Sequence, residues 1–165
     1  MEKTLILTVL LEENSQKHFD VLRARHFPKE INYLKAHLTL FHKLPASDLT
    51  YDRINALVSN QKSFSMHVNA VVSIGNGVAF KIESPELQHI HAELQSAFAA
   101  VLTAQDKQKL WPHITVQNKV TAIEAKALKE ELEKSFNPQA IEAKGLVLSE
   151  YLNGPWQLHR LYPFI

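Results

Sequence analysis

A four-residue phrase occurs twice in this chain, as His37-Leu38-Thr39-Leu40 and as His113-Ile114-Thr115-Val116. Both copies run histidine, apolar, threonine, apolar, and the alternation predicts two buried strands. Residues two apart in a strand point the same way, so each copy presents an imidazole and a hydroxyl together. Strands lying side by side or face to face would then enclose two histidines and two threonines. Such a set suits acid–base chemistry on a phosphate ester: imidazoles move protons near neutral pH, and hydroxyls donate to oxygens.

The surroundings of the two copies repeat as well. Thr4 to Leu11 reads as a buried strand. Asn14 or Ser15 caps a helix to about His26, with Phe19 and Leu22 inward, and Pro28 ends it. The first His-Thr strand runs from about Ala36 to His42, before Pro45. Ser47 caps a second helix through about Asn60. Phe64, Met66, Val68, Ala70 and Val72 alternate as a half-buried strand, Gly75-Asn76-Gly77 turns, and Val78, Phe80 and Ile82 return. Ser84-Pro85 opens the next helix, with Leu87, Ile90, Leu94, Phe98 and Val101 at helical spacing. The second His-Thr strand begins near Trp111. Thr121 to Glu124 is a capping box for a helix to about Phe136. Gln139 to Glu150 holds one or two strand segments, Asn153-Gly154-Pro155 turns, and Trp156 to Tyr162 is the last strand. Helix, His-Thr strand, helix, strand, strand thus occurs over about 14–83 and again over about 84–163. Such a duplication would relate the two motif strands by a pseudo-twofold axis.

A single His-x-Thr is expected about 0.4 times by chance in a chain with nine histidines, so one copy would read as a satisfied core histidine. Two copies in matching contexts read as a site. Phe41 and Gln117 continue the inward parity of the two strands; they are expected either to line the same cleft, Phe41 stacking on a base, or to pack in the core or at its rim. His42 has the opposite parity and is expected at the surface. Lys43 and Lys119 read as solvated strand ends. His89 and His91 do not share a helix face and are set aside as metal ligands. Trp156 contacts a base or packs, with packing the preferred reading; Arg160 and Tyr162 share its parity and reach toward the cleft.

The 165 residues suit one domain, or two small lobes around one core. A net charge of +1 provides no field for long nucleic acid, leaving small anions or strand ends as ligands. The chain has no cysteine, which excludes disulfides, thiolate catalysis and Cys-based zinc sites and fits a reducing compartment. Thr4 to Leu11 is too short to span a membrane, and no leader peptide is evident. The expectation is a cytoplasmic, monomeric protein.

The two phrases, set in two β-α repeats, resemble the 2H phosphoesterase superfamily, and within it the bacterial 2′-5′ RNA ligase-like branch. Phe41-His42-Lys43-Leu44-Pro45, Trp111-Pro112-His113 and the tail from Gly145 to Phe164, with Gly154-Pro155-Trp156, are similar to that branch. The likeness covers nearly the whole chain. One departure is Ala36, where many relatives carry proline before the first histidine. The resemblance implies an α+β fold, bilobal, with mainly antiparallel sheets flanking an open, positively polarised cleft. It implies chemistry without metal or cofactor on 2′,3′-cyclic phosphates or 2′-5′-linked nucleotide and RNA ends. His37 and His113 would be the catalytic pair and Thr39 and Thr115 the phosphate-binding hydroxyls. Hydrolysis is expected over ligation, because water outcompetes an unheld RNA end. An RNA-binding module without catalysis, or a 2′-5′ RNA ligase with little hydrolytic activity, is the alternative.

Overall fold

The computed structural model describes residues 2–165. Strand β1 (Thr4–Leu11) is apolar along its length, and Leu5, Ile6, Leu7, Val9 and Leu11 are all buried. Helix α1 (Glu13–His26) follows and buries a stripe at four-residue spacing, Ser15, Phe19 and Arg23. Its N-cap is Glu12 rather than Asn14 or Ser15; Ser15 Oγ instead donates back to Glu12 Oε1 at 2.7 Å. After a short 3-10 turn (Lys29–Ile31) come β2 (Thr39–Pro45), α2 (Asp48–Val58), β3 (Phe64–Ser73) and β4 (Val78–Glu83). Helix α3 (Pro85–Ala97) starts as expected, with Ser84 Oγ accepting from the Leu87 N–H at 3.1 Å, but stops four residues short of Val101. Then come β5 (His113–Gln117), α4 (Ala122–Ser135), β6 (Gln139–Tyr151) and β7 (Trp156–Pro163). The Gln139 to Glu150 region is one long strand.

That long strand organises the sheet. β1 pairs one edge of β6 from Ala143 to Glu150. The other edge takes β3 at Gln139–Ala143 and then β7 at Gly145–Tyr151, end to end. All seven strands form one antiparallel sheet in the order β2-β1-β6-β3-β4-β5, with β7 on β6. Two four-stranded halves, β2-β1-β6-β7 and β6-β3-β4-β5, therefore share β6, and the fold is α+β. The motif strands β2 and β5 are the two ends of this order. Helix α1, which follows β1 in the first half, packs on β5 in the second, so the halves are tied across.

The interior is one apolar cluster centred on Leu5, Leu7, Phe19, Leu38, Phe41, Ile54, Met66, Ile82 and Phe98. Burying such side chains is the main favourable term of the fold, about 1.5–3 kcal/mol for each large one. Gly77, in the β3–β4 turn, is needed for close approach: a Cβ there would lie 2.0 Å from the Gln117 carbonyl oxygen. Among the described residues no helix is long and apolar enough to cross a membrane.

Both motif strands carry an irregularity that parity does not anticipate. On β2, Thr39 faces Thr8 and Phe41 faces Leu7, so Leu40 is an extra residue; another extra residue falls between Phe41 and Leu44. On β5, Thr115 faces Ala79 and Gln117 faces Val78, so Val116 is extra. A β-bulge sits directly after each motif threonine, and beyond it the side chains change faces.

Candidate active site

His37 lies just before β2, in an extended segment that already joins the ladder through Val9 N–H donating to the Leu38 carbonyl at 3.0 Å. Its position is set by α1. Asp20 Oδ1 accepts the Ala36 N–H at 2.9 Å, and Gln16 Nε2 donates to the Ala36 carbonyl at 2.8 Å and to Asp20 Oδ1 at 2.9 Å. These two side chains, one helical turn apart, grip both polar groups of the residue preceding His37.

The two motif imidazoles are held alike. His37 Nδ1 lies 2.8 Å from the Lys35 carbonyl oxygen, and His113 Nδ1 lies 2.7 Å from that of Trp111. A carbonyl only accepts, so Nδ1 carries the proton in both rings and Nε2 is left for a ligand. Each ring also has an indole neighbour: Trp156 at 4.6 Å from His37 between ring centres, and Trp111 stacked on His113 at 4.3 Å. His37, Thr39, His113 and Thr115 all line one cleft of about 300 Å³, with Trp111 and Trp156 beside them. The sheet brings its two end strands to one opening.

Arg23 stands behind this arrangement. It is nearly fully buried, its guanidinium 3.9 Å over the Phe27 ring. It donates from Nε to Asn32 Oδ1 at 2.9 Å and from Nη1 to the Thr115 carbonyl at 3.2 Å. Burial lowers its pKa to about 10, against the pull of Asp20, so it remains a cation at neutral pH. Burial also pushes His37 down to about 4; the bond to the Lys35 carbonyl opposes this, and the charges of Arg23, His113 and His42 reinforce it. His113 is lowered for the same first reason, with His42 adding to it. The cleft therefore holds two neutral imidazoles near pH 7, with a buried guanidinium behind them.

Beyond the motifs, the bulges rearrange the expected set. Phe41 is fully buried, stacked on His91 at 4.7 Å and edge-on to Phe98 at 5.7 Å; it is a core residue and does not line the cleft. Gln117 is buried at the end of β5 and does not line it either. His42 is exposed, as expected, yet the extra residues in β2 bring it to the wall of the cleft, where its Nδ1 lies 3.1 Å from Asp106 Oδ1. Trp156 lines the cleft and packs against the His37 ring there. Arg160 and Tyr162 do not line it, because β7 has its own bulge opposite Leu148 and Ser149; Arg160 lies 3.8 Å over the Tyr51 ring and Tyr162 is buried. Lys43 and Lys119 are exposed and outside the cleft, as solvated strand ends.

Asp106, in the segment between α3 and β5, belongs to no motif that a sequence reading would single out. Its carboxylate accepts the His42 N–H at 2.9 and 3.0 Å and the Lys43 N–H at 2.9 Å, besides the His42 ring. Burial raises its pKa, and these bonds outweigh burial, leaving it below the usual carboxylate value. Among the described residues no three His, Asp or Glu side chains converge as metal ligands. The cleft has two donor–acceptor nitrogens and two hydroxyls around one space, which is equipment for transferring protons across a bound oxyanion.

Comparisons with known proteins bear on this geometry. The model of the 2′-5′ RNA ligase superfamily matches residues 11–155. No protein of curated function matches the chain by sequence. Among solved structures, the chain is similar to the Thermus thermophilus protein TT0787, with a TM-score of 0.69 at 14% identity over 98% of this chain and 97% of that one. It is also similar to Escherichia coli LigT complexed with 3′-AMP, with a TM-score of 0.62 at 16% identity over 99% of both chains. LigT complexed with NADP+ gives a TM-score of 0.62 at 17% identity, again over 99% of both. At such identities these likenesses speak for the fold.

Proposed function

The chain belongs to the 2′-5′ RNA ligase superfamily, and from that premise we propose that it is a phosphodiesterase hydrolysing 2′,3′-cyclic phosphates or 2′-5′ linkages at nucleotide or RNA ends. One observation carries the proposal. The two histidines of the repeated phrase line one cleft, each with Nδ1 tied to the carbonyl two residues before it, so that both Nε2 atoms are available to substrate. One Nε2 takes a proton from water as the water oxygen bonds to phosphorus. The other gives a proton to the ribose oxygen as its bond to phosphorus breaks, leaving a phosphate monoester and a free hydroxyl. His37, pushed down to about 4 in the free protein, is neutral there across the physiological range and suits the base. His113, neutral in the free protein, takes up a proton as the phosphate binds and then serves as the acid; attack by the 5′-hydroxyl of an RNA end in place of water would give ligation.

Thr39 and Thr115 donate to the non-bridging oxygens, where charge grows in the transition state. Trp111, 44% exposed, and the half-buried Trp156 offer faces on which a base can stack. The nucleotides bound by E. coli LigT, 3′-AMP and NADP+, support a ligand of that class.

The test is a panel assayed with chelator: nucleoside 2′,3′-cyclic phosphates, cyclic-phosphate RNA ends, an ADP-ribose cyclic phosphate and 2′-5′ oligoadenylates. We expect turnover of at least one class to a monoester of single regiochemistry, undiminished by chelator. No turnover across the panel, or turnover that chelator stops, would contradict the proposal.

A further inference from the structure

The cleft has a second polar wall that the acid–base pair does not use. It is formed by the segment between α3 and β5, whose Gln105, Gln108 and Lys109 line the cleft with His42. The segment contains neither helix nor strand, yet it is tied down on both sides. From α3, Gln95 Nε2 donates to the carbonyls of Asp106 and Gln108 at 3.0 and 2.8 Å, and Gln88 Nε2 to that of Leu110 at 3.0 Å. On the other side, the Asp106 carboxylate is fastened to the β2 backbone at His42 and Lys43. The wall is thus organised before any ligand arrives, which removes an ordering cost from binding.

His42 is the centre of that wall. Its side chain is 50% exposed, while the Asp106 side chain behind it is 1% exposed. Asp106 accepts Nδ1–H and so fixes which nitrogen remains for a ligand. With Nδ1 tied to Asp106, Nε2 is the ring nitrogen that faces the cleft, where a proton shared with a phosphate oxygen would complete a second hydrogen bond of the ring. Asp106 also lines the cleft, with both its oxygens turned to backbone N–H groups and the ring of His42. Among the described residues no other carboxylate lines the cleft, and Lys109 adds a cation.

We infer that His42, with Lys109, Gln105 and Gln108, forms a second phosphate subsite next to the reacting phosphate. The substrate is then a nucleotide bearing two separate phosphates, an oligonucleotide end in preference to a free nucleoside cyclic phosphate. This rests on the proposed function for the place of the first phosphate.

The test needs no turnover. Adenosine 3′,5′-bisphosphate and adenosine 3′-monophosphate are titrated into the full chain by calorimetry at fixed salt. The bisphosphate binds about tenfold more tightly, the worth of one charge-assisted hydrogen bond. That ratio falls to parity in His42→Ala and part of the way in Lys109→Ala, a surface change that leaves the Asp106 contacts intact. Equal affinities in the unsubstituted protein, or a preference that survives both substitutions, would overturn the subsite while leaving the proposed function standing. Failure of both ligands to bind would overturn the proposed function, and the subsite with it.

Discussion

His37 with Thr39, and His113 with Thr115, line one cleft because their spacing falls before the bulges. Phe41 and Gln117 are buried, and His42, half exposed, reaches the cleft wall, because they lie beyond them. A trace of this is legible at Leu40-Phe41, where two large apolar residues stand side by side in an alternating segment; Val116-Gln117 carries no such mark. The threonines have a specific consequence. On the proposed mechanism, Thr39→Ala or Thr115→Ala would remove a donor to the transition-state oxyanion and should lower kcat by about 10²–10³-fold, with Thr→Ser at either site restoring most of it. An Ala variant with unchanged kcat would remove that hydroxyl from the mechanism. Burial holds both motif imidazoles below their ordinary 6.5 in the free protein, and a phosphate bound between them would pull them back up. The pH profile of kcat/KM, which reports the free protein, should therefore be centred at lower pH than that of kcat. Coincident profiles would contradict this electrostatic picture.

The elements themselves are the most readable level, for local reasons. Ser84-Pro85 and Thr121 start their helices through side-chain caps that depend on nearest neighbours alone. The cap of α1 is not readable, because Ser15 serves Glu12 from inside the helix. Nor does the chain announce that β6 is one strand shared by both halves, since that depends on what pairs with its two edges. The tight turn before β4 sets the register of β5. Gly77→Ala would drive a Cβ against the Gln117 carbonyl, 2.0 Å away, and force β5 off β4. We expect a loss of about 2–3 kcal/mol in urea unfolding, with reduced turnover; unchanged stability would show that β5 is not held by this approach. The α1 grip on Ala36 predicts a subtler effect. Asp20→Ala should lower kcat by about tenfold or more with little change in KM, because a histidine held loosely spends less time aligned. A pure KM effect would contradict a positioning role.

Over the whole molecule, the cleft is the meeting of the two ends of one curved sheet, and the same burial that tunes the site makes the fold sensitive to acid. His37, His113, His91 and His26 all have pKa values lowered by burial. Between about pH 6.5 and 4 the unfolded chain binds protons that the folded chain refuses, so stability falls as pH falls through that window. The stabilising, depressed carboxylate of Asp106 acts lower still and is lost only below the usual carboxylate range. Urea midpoints should drop from pH 7.5 to pH 5; a flat profile would mean that these rings are not buried in solution. The central claim is that two imidazoles from opposite ends of the sheet share one phosphate. Its most direct measurement is single-turnover hydrolysis of an RNA end bearing a 2′,3′-cyclic phosphate, with chelator present, by the unsubstituted protein, His37→Ala, His113→Ala and the double variant. Each single change should lower the rate by about 10²–10⁴-fold, and the double change little further, because the pair acts as a unit. Near-normal turnover in either single variant would contradict it.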